Sequence, residues 1–184
     1  ERWEELEVQT GRDGFAELFG HIRMISAKEK ARRTLLEEFR EQVIKKYESP
    51  ETLMSTVVEP FAEAYLIAKK CQYLSTTNAA DVNALLKWLN RIENSDWLPS
   101  AIKFLATQGK NADYVLWFFR KLERLASFMH ICGYDVNQRI ERYASVLSEL
   151  EGSHSLEAPL SAVDLGPEEK SEMLQVLDGD IYLM

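Results

Sequence analysis

The amino-acid sequence predicts an all-α protein, an irregular bundle of about seven to nine helices around a central antiparallel helical hairpin over residues 111–152. Apolar residues recur along most of the 184-residue chain at spacings of three and four, as on a helix with one buried face. Only 8 glycines and 5 prolines are present, too few to punctuate a many-stranded fold. No run of residues reads as a strand, and an apolar content of 46% is enough for a packed core.

The predicted hairpin consists of a long helix after Asn111 and a second helix after Gly133. Asn111 or Asp113 can cap the first helix, and Gly133 can end it in the left-handed conformation. The second helix is expected from about Asp135 to Gly152, so the short connection predicts antiparallel packing. The apolar arc of the first helix carries Val115, Phe118, Phe119, Leu122, Leu125, Ala126 and Met129.

Proline, glycine and capping residues divide the rest of the chain into further helices. An apolar register begins at Phe15, breaks near Ser26 and resumes as far as Tyr47. A short helix starts at Pro50, and Pro60 opens or kinks the next one, because proline cannot donate the helical hydrogen bond. The remaining predicted helices run from Ala79 to Glu93, from Pro99 to Gly109 and from Pro167 to Asp178.

The composition changes after Gly152, which predicts a division of the chain into two parts. Residues 1–152 are expected to form the helical bundle domain. Residues 153–184 are expected to form a loop and a short helix that lead into a missing C-terminal domain. The apolar end, Ile181 to Met184, indicates a cut just before that domain or a strand that pairs with a partner. The chain also starts at Glu1 without an initiator methionine, so we expect a piece of a longer protein.

Charge and cysteine content indicate the surroundings in which the chain works. The net charge of −8 gives no overall attraction to nucleic acid or to an anionic membrane. Cys71 and Cys132 lack a Cys-x-x-Cys partner and lie in apolar stretches, so we expect buried, reduced thiols in the cytoplasm. The apolar run from Tyr114 to Phe119 is too short to cross a bilayer, and the first residues are no signal peptide. No membrane partner is therefore expected.

Patterns that carry chemistry are sparse in this sequence. The three histidines, His21, His130 and His154, form no zinc-ligand pattern, and His154 has no evident partner. Glycine-rich phosphate loops and nucleophile elbows are absent, and no carboxylate pair is spaced for acid–base catalysis. The sequence thus predicts no catalytic, cofactor-binding or metal-binding residue, no cofactor and no enzyme activity in this stretch of chain.

One local excess of positive charge, named here the basic cluster, lies between residues 23 and 33. Only Glu29 opposes it, and His21 lies beside it. Such a cluster can bind phosphate groups, which makes it the candidate nucleic-acid contact. The alternative, which we favour, is a solvated face or a surface paired with the acidic residues of the rest of the chain, because no aromatic residues are interleaved with the basic ones. The basic cluster consists of Arg23, Lys28, Lys30, Arg32 and Arg33.

Four segments follow one another along the chain: GRDGFAELFGHIRMI near the start, KLERLASFM, RIERY, and LGPEEKSEMLQVLDGDIYLM at the end. In this order they resemble the helical middle region of GmrSD-type proteins. These are prokaryotic modification-dependent restriction enzymes and their relatives. The resemblance extends from about Gly11 to Met184 and consists of packing motifs rather than catalytic ones.

The resemblance implies a place between two active domains. In that family an N-terminal ParB-like domain carries an Asp-Gly-Gln-Gln-Arg signature linked to nucleotide hydrolysis, and a C-terminal domain carries an HNH-type nuclease site. Here Asp13-Gly14 and Asp178-Gly179 lack the Gln-Gln-Arg continuation, and no histidine is placed for the nuclease site. No catalytic residue therefore transfers to this chain, whose implied partners are the flanking domains of the same polypeptide.

Three functions from different classes are open on the sequence. The first is a non-catalytic spacer and interaction domain of a phage- or foreign-DNA defence protein, which relays between the nucleotide-hydrolysing and nuclease domains. The second is a DNA-binding helical module that uses the basic cluster. The third is an enzyme whose site is too dispersed to recognise in sequence. The sequence favours them in that order.

Overall fold

The computed structural model describes residues 2–179, and within that range it contains helices and no strand. This confirms the predicted all-α class. A 3₁₀ turn covers Ile44–Lys46, and a π-helical turn, Met54–Val58, joins α4 to α5 in one continuous helix. The α-helices are α1 (Arg2–Thr10), α2 (Arg12–Ala27), α3 (Leu35–Gln42), α4 (Pro50–Leu53), α5 (Glu59–Lys70), α6 (Ala79–Leu89), α7 (Leu98–Gln108), α8 (Ala112–Ile131), α9 (Val136–Glu149) and α10 (Pro167–Leu177).

The centre of the bundle is α7, and this corrects the prediction of a central hairpin over residues 111–152. Helix α7 packs against α2, α5, α8 and α9. Both helices of the predicted hairpin and its turn at Gly133 are present, but α9 makes its close backbone contacts with α7 and α2 rather than with α8. Helix α7 carries one charged residue, Lys103, and is therefore apolar nearly all round. Such a helix is stable when other helices surround it, which accounts for its central position.

Helix α8 is buried on more than one side, so it serves several neighbours. It packs chiefly on α6 and also contacts α7 and α10. Its Phe118 stacks on Phe104 of α7, with ring centroids 3.8 Å apart and planes 4° from parallel. Leu116 and Phe128 are buried as well, away from that stack. Each apolar side of α8 therefore has a different partner, which leaves α9 to pack elsewhere.

The segment after α9 folds onto the bundle. Leu160, Val163 and Leu165 are buried in the same hydrophobic core as α8. The Glu149 carboxylate accepts hydrogen bonds from the backbone amides of Ser161 (2.7 Å) and Ala162 (2.9 Å). The predicted loop and short helix are thus both present and pack against residues 1–152. The apolar end, Ile181 to Met184, lies outside the described residues.

Helix ends follow the predicted capping signals. The Asn111 side chain accepts a hydrogen bond from the Tyr114 amide, and Asp135 and Gln138 form a reciprocal capping box. Gly133 has the left-handed conformation, with φ of +70°. The predicted break near Ser26 is also present, because α2 ends at Ala27 and α3 begins only at Leu35.

Gly133→Ala is expected to lower the free energy of unfolding by about 1 kcal/mol, because a Cβ atom strains the left-handed backbone. A methyl group there would meet no atom within 4 Å, so strain is the whole effect. The matched control is Gly20→Ala within α2, where a Cβ also meets nothing and the backbone is helical. That change should stabilise by roughly 0.5–1 kcal/mol. Urea denaturation followed by circular dichroism measures both, and effects of the same sign would contradict the expectation.

Candidate functional site

An aromatic cluster joins the first three helices. Phe15 and Phe19 lie four residues apart on one face of α2, with ring centroids 5.0 Å apart in an edge-to-face arrangement. Trp3 of α1 lies 4.9 Å from Phe15 and 5.1 Å from Phe19, and Phe39 of α3 lies 4.8 Å from Phe19. Phe15 and Phe39 are buried, whereas Trp3 is 47% exposed. The cluster therefore ends in a large aromatic side chain at the surface.

A groove of about 610 Å³ opens beside this cluster and is named here the aromatic groove. One wall consists of Trp3, Phe19 and Phe39. The chain from the 3₁₀ turn onward completes it with Ile44 and Tyr47, followed by residues 48–51, 53, 54 and 58. Binding pockets for small molecules have about 300–1,000 Å³ and mostly apolar walls. The groove is thus large enough to take several side chains of a ligand.

The π-helical turn supplies the far wall of the aromatic groove. Leu53, Met54 and Val58 line the groove from this turn and its edge. The Glu59 amide donates to the Met54 carbonyl, five residues back, where an α-helix would reach back four. Pro60, which follows, has no amide hydrogen to continue an α-helical ladder. Because π-helical turns are frequent at functional sites, this wall supports the choice of the groove as the candidate site.

Next to the groove, a buried ion pair organises the loop between α2 and α3. Arg23 Nε lies 2.6 Å from Glu38 Oε2, and the two side chains are only 4% and 2% exposed. The Arg23 guanidinium also donates to the backbone carbonyls of Glu29 and Lys30. Glu38 Oε1 accepts the backbone amides of Arg32 (2.7 Å) and Arg33 (2.8 Å). The pKa of Glu38 is lowered, chiefly by the hydrogen bond from the Arg32 amide. The Arg33 amide and the Arg23 charge add to this effect, and together the three outweigh burial, which raises the pKa.

The structure places the basic cluster around this loop, with most of its charges paired inside the chain. Arg23 is buried against Glu38, as described. Lys28 Nζ lies 2.6 Å from Glu151, Lys30 Nζ donates to Asn137 at 2.8 Å, and Arg33 lies 2.5 Å from Glu41. The exposed Arg32 side chain has no such partner among residues 3–179. These contacts agree with the paired-surface alternative, and nucleic-acid binding by the cluster stays a prediction.

A second polar cluster ties α2 to α5. Glu17 accepts a hydrogen bond from the Tyr65 hydroxyl at 2.7 Å, and both His21 Nε2 and Lys69 Nζ lie 3.4 Å from its carboxylate. The hydrogen bond with His21 is the largest cause that lowers the pKa of Glu17 to about 2. Burial, and then the contact with Glu17, raises the pKa of Tyr65. A carboxylate with so low a pKa is a weak general base at neutral pH, so the cluster suits helix packing better than proton transfer.

His154 has a partner that its position in the sequence did not reveal. Its Nδ1 lies 2.9 Å from the hydroxyl of the buried Tyr114, 40 residues earlier in the chain. Cys71 and Cys132 are free thiols, as predicted, although both are half-buried rather than fully buried. In the described range, no three histidine, cysteine or acidic side chains are grouped as a metal site would require. No helix between residues 2 and 179 combines the length and apolarity needed to cross a bilayer.

Comparisons with protein-family models, with curated proteins and with solved structures found no match for this chain. The GmrSD-type resemblance therefore stays a prediction that rests on the four segments quoted above. Any functional conclusion has to come from the site itself.

The sequence did not lead us to the aromatic groove. The apolar register that begins at Phe15 does not distinguish a core face from a groove wall, and Trp3 precedes that register in the chain. The available signal was the number of aromatic residues on both sides of the basic cluster, with Phe39 and Tyr47 beyond it. Only the folded loop brings these two groups together, because it returns α3 alongside α2.

Proposed function

We propose that this chain is a helical interaction domain that binds a protein segment in the aromatic groove. The observation that carries the proposal is a concave, largely apolar surface whose margin exposes Trp3 (47%) and Ile44 (44%). Large apolar side chains exposed next to a groove are typical of surfaces that accept a helix or peptide from a partner.

The surroundings of the groove support a preformed site. The edge-to-face contacts of Phe19 with Phe15 and Phe39 fix one wall, and the Arg23–Glu38 pair fixes the loop that leads into α3. A site that is ordered before binding loses less conformational entropy when the partner arrives. The groove is therefore suited to bind a partner with little rearrangement of its own walls.

A spacer role in a multidomain restriction-type protein is the setting that we propose for this activity. A segment of a flanking domain in the groove would couple that domain to the bundle, as the family resemblance implies. Free Cys71 and Cys132 support a reducing, cytoplasmic environment for it. This setting names the flanking domains as the neighbours of the bundle. It is tested separately from the binding role, by determining the reading frame on either side of this chain.

The interaction role is tested with a neutral amphipathic helix of leucine and glutamine, about 14 residues long, as a model ligand. Isothermal titration should show saturable binding that Ile44→Glu weakens about tenfold or more, because the new carboxylate would have to be desolvated in the groove. The matched control is Leu174→Glu on α10, where an apolar side chain is 62% exposed away from the groove. Equal binding by both variants, or no binding at all, would contradict the proposal.

A further inference from the structure

The margin of the aromatic groove carries two acidic side chains. Glu48 and Glu51 both line the groove and both are exposed. Within the described part of the chain, neither carboxylate has a basic side chain at ion-pair distance. Glu51 instead accepts hydrogen bonds from its own backbone amide and from the Ser49 hydroxyl, which lower its pKa. It is therefore ionised at neutral pH and holds a negative charge at the groove.

One basic side chain close to the groove in sequence, that of Lys46, is engaged with other groups. Lys46 donates from Nζ to the carbonyl (2.9 Å) and hydroxyl (2.8 Å) of Ser26. The hydrogen bond and charge of Arg33, and to a smaller extent the charge of Lys45, lower the pKa of Glu41. Glu41 is thus paired with Arg33, whereas among the described residues Glu48 and Glu51 have no basic side chain at ion-pair distance. Glu48 and Glu51 are left to interact with a ligand.

The aromatic wall is also suited to a positive ligand. Trp3 is half exposed at the groove and Tyr47 is partly exposed there. The faces of tryptophan and tyrosine rings attract ammonium and guanidinium groups, most strongly for tryptophan. The aliphatic parts of lysine and arginine side chains pack on apolar surface while their charged ends reach a polar margin. An apolar groove bordered by carboxylates therefore matches a ligand that is apolar on one face and basic beside it.

We propose that the partner of the aromatic groove is an amphipathic basic helix, with apolar side chains in the groove and lysine or arginine beside Glu48 and Glu51. This inference rests on the proposed interaction function and adds the chemistry of the partner. The apolar anchors would recur at helical spacings of three and four, since one face of a helix enters a groove in that pattern. The flanking charges set which amphipathic helix binds and how fast it associates.

The test compares three model helices of equal length on the full chain by isothermal titration, made of leucine with lysine, leucine with glutamine, and leucine with glutamate. The lysine peptide should bind about fivefold to tenfold more tightly than the glutamine peptide, because two exposed ion pairs together contribute about that much to the affinity. The glutamate peptide should bind most weakly. The advantage of lysine should also diminish as salt is raised, because the pairs are exposed.

A matched pair of variants separates local charge from the net charge of −8. Glu48→Lys/Glu51→Lys should remove or reverse the preference for the lysine peptide. Glu93→Lys/Glu141→Lys makes the same change in net charge at exposed positions outside the groove and should keep the preference. Equal loss in both double variants would overturn the inference, because the attraction would then be global.

Other outcomes distinguish this inference from the proposed function beneath it. Equal affinity for the lysine and glutamine peptides overturns the basic partner but leaves the interaction groove in place. No binding of any peptide overturns both. A dimer in sedimentation analysis that Ile44→Glu dissociates would show a second copy of the chain in the groove and would also overturn the basic partner.

Discussion

Phe119→Asp is expected to abolish cooperative folding of this chain. Phe119 is fully buried in α8 and meets Phe118 edge to face, with ring centroids 5.5 Å apart. Removing a buried phenylalanine side chain costs about 3–5 kcal/mol, and a buried carboxylate without a partner adds a further penalty. Whole domains are stable by only about 5–15 kcal/mol. The variant should show no tertiary signal in near-ultraviolet circular dichroism and no cooperative urea transition.

Two controls on the same helix identify the cause of that loss. Arg124→Asp introduces the same carboxylate at an exposed position of α8 and should leave a cooperative transition close to that of the parent chain. Phe119→Leu keeps the site apolar and should destabilise the fold without unfolding it. A folded Phe119→Asp protein would mean that this side of α8 is not part of the core.

Arg23→Met is expected to destabilise the fold strongly. Removing one member of a buried ion pair lowers stability by about 3–5 kcal/mol, because the partner charge is left buried and uncompensated. The change also deletes the donors to the carbonyls of Glu29 and Lys30. Urea denaturation measures the loss, and hydrogen exchange should show faster exchange of the amides of Arg32 and Arg33.

The same loop provides the matched control. Arg33 pairs with Glu41 at the surface, where the side chains are 46% and 45% exposed, so Arg33→Met should change stability little. Arg23→Met/Glu38→Gln removes both buried charges and leaves a side-chain oxygen at position 38 to accept the amides of Arg32 and Arg33, so it should recover a large part of the stability lost in the single variant. Equal effects of Arg23→Met and Arg33→Met would show that the Arg23 pair behaves as a surface pair.

Apart from α1 (Arg2–Thr10), which no pattern indicated, the helices of this protein could be predicted because their signals are local. Asn111, Gly133 and Asp135 mark ends of α8 and α9 by side-chain caps or backbone conformation that involve only neighbouring residues. Pro167 similarly marks the start of α10. Periodicity then distinguishes buried from exposed faces along each helix.

The arrangement of the helices could not be predicted in the same way. The apolar pattern of α8 shows that several of its sides are buried, but it does not say which helix covers each side. The short connection at Gly133 favoured α9 as the neighbour, whereas α6 and α7 occupy those positions. Which helices meet depends on the combined shapes of all their apolar faces, and no single segment of sequence contains that information.

The candidate site shows the same limit. The basic cluster was visible because its charges are adjacent in sequence, but the partners of Lys28 and Lys30 lie more than a hundred residues away, at Glu151 and Asn137. The aromatic groove has the opposite property, because its walls are scattered between Trp3 and Val58. Proximity in sequence therefore indicated the basic cluster, most of whose charges have partners in the folded chain. It did not indicate the aromatic groove, whose residues are far apart in sequence.

The π-helical turn has a consequence for how this region can vary. A π turn holds one residue more than the α-helical turn that it replaces, so it offsets the faces of α4 from those of α5 by about 100°. Loss of one residue between Met54 and Val58 would rotate Leu53 out of the groove wall while Phe61 and Tyr65 stay in the core. A single-residue deletion can thus reshape the aromatic groove and spare the scaffold, so the shape of the groove and the stability of the bundle can change independently at this helix.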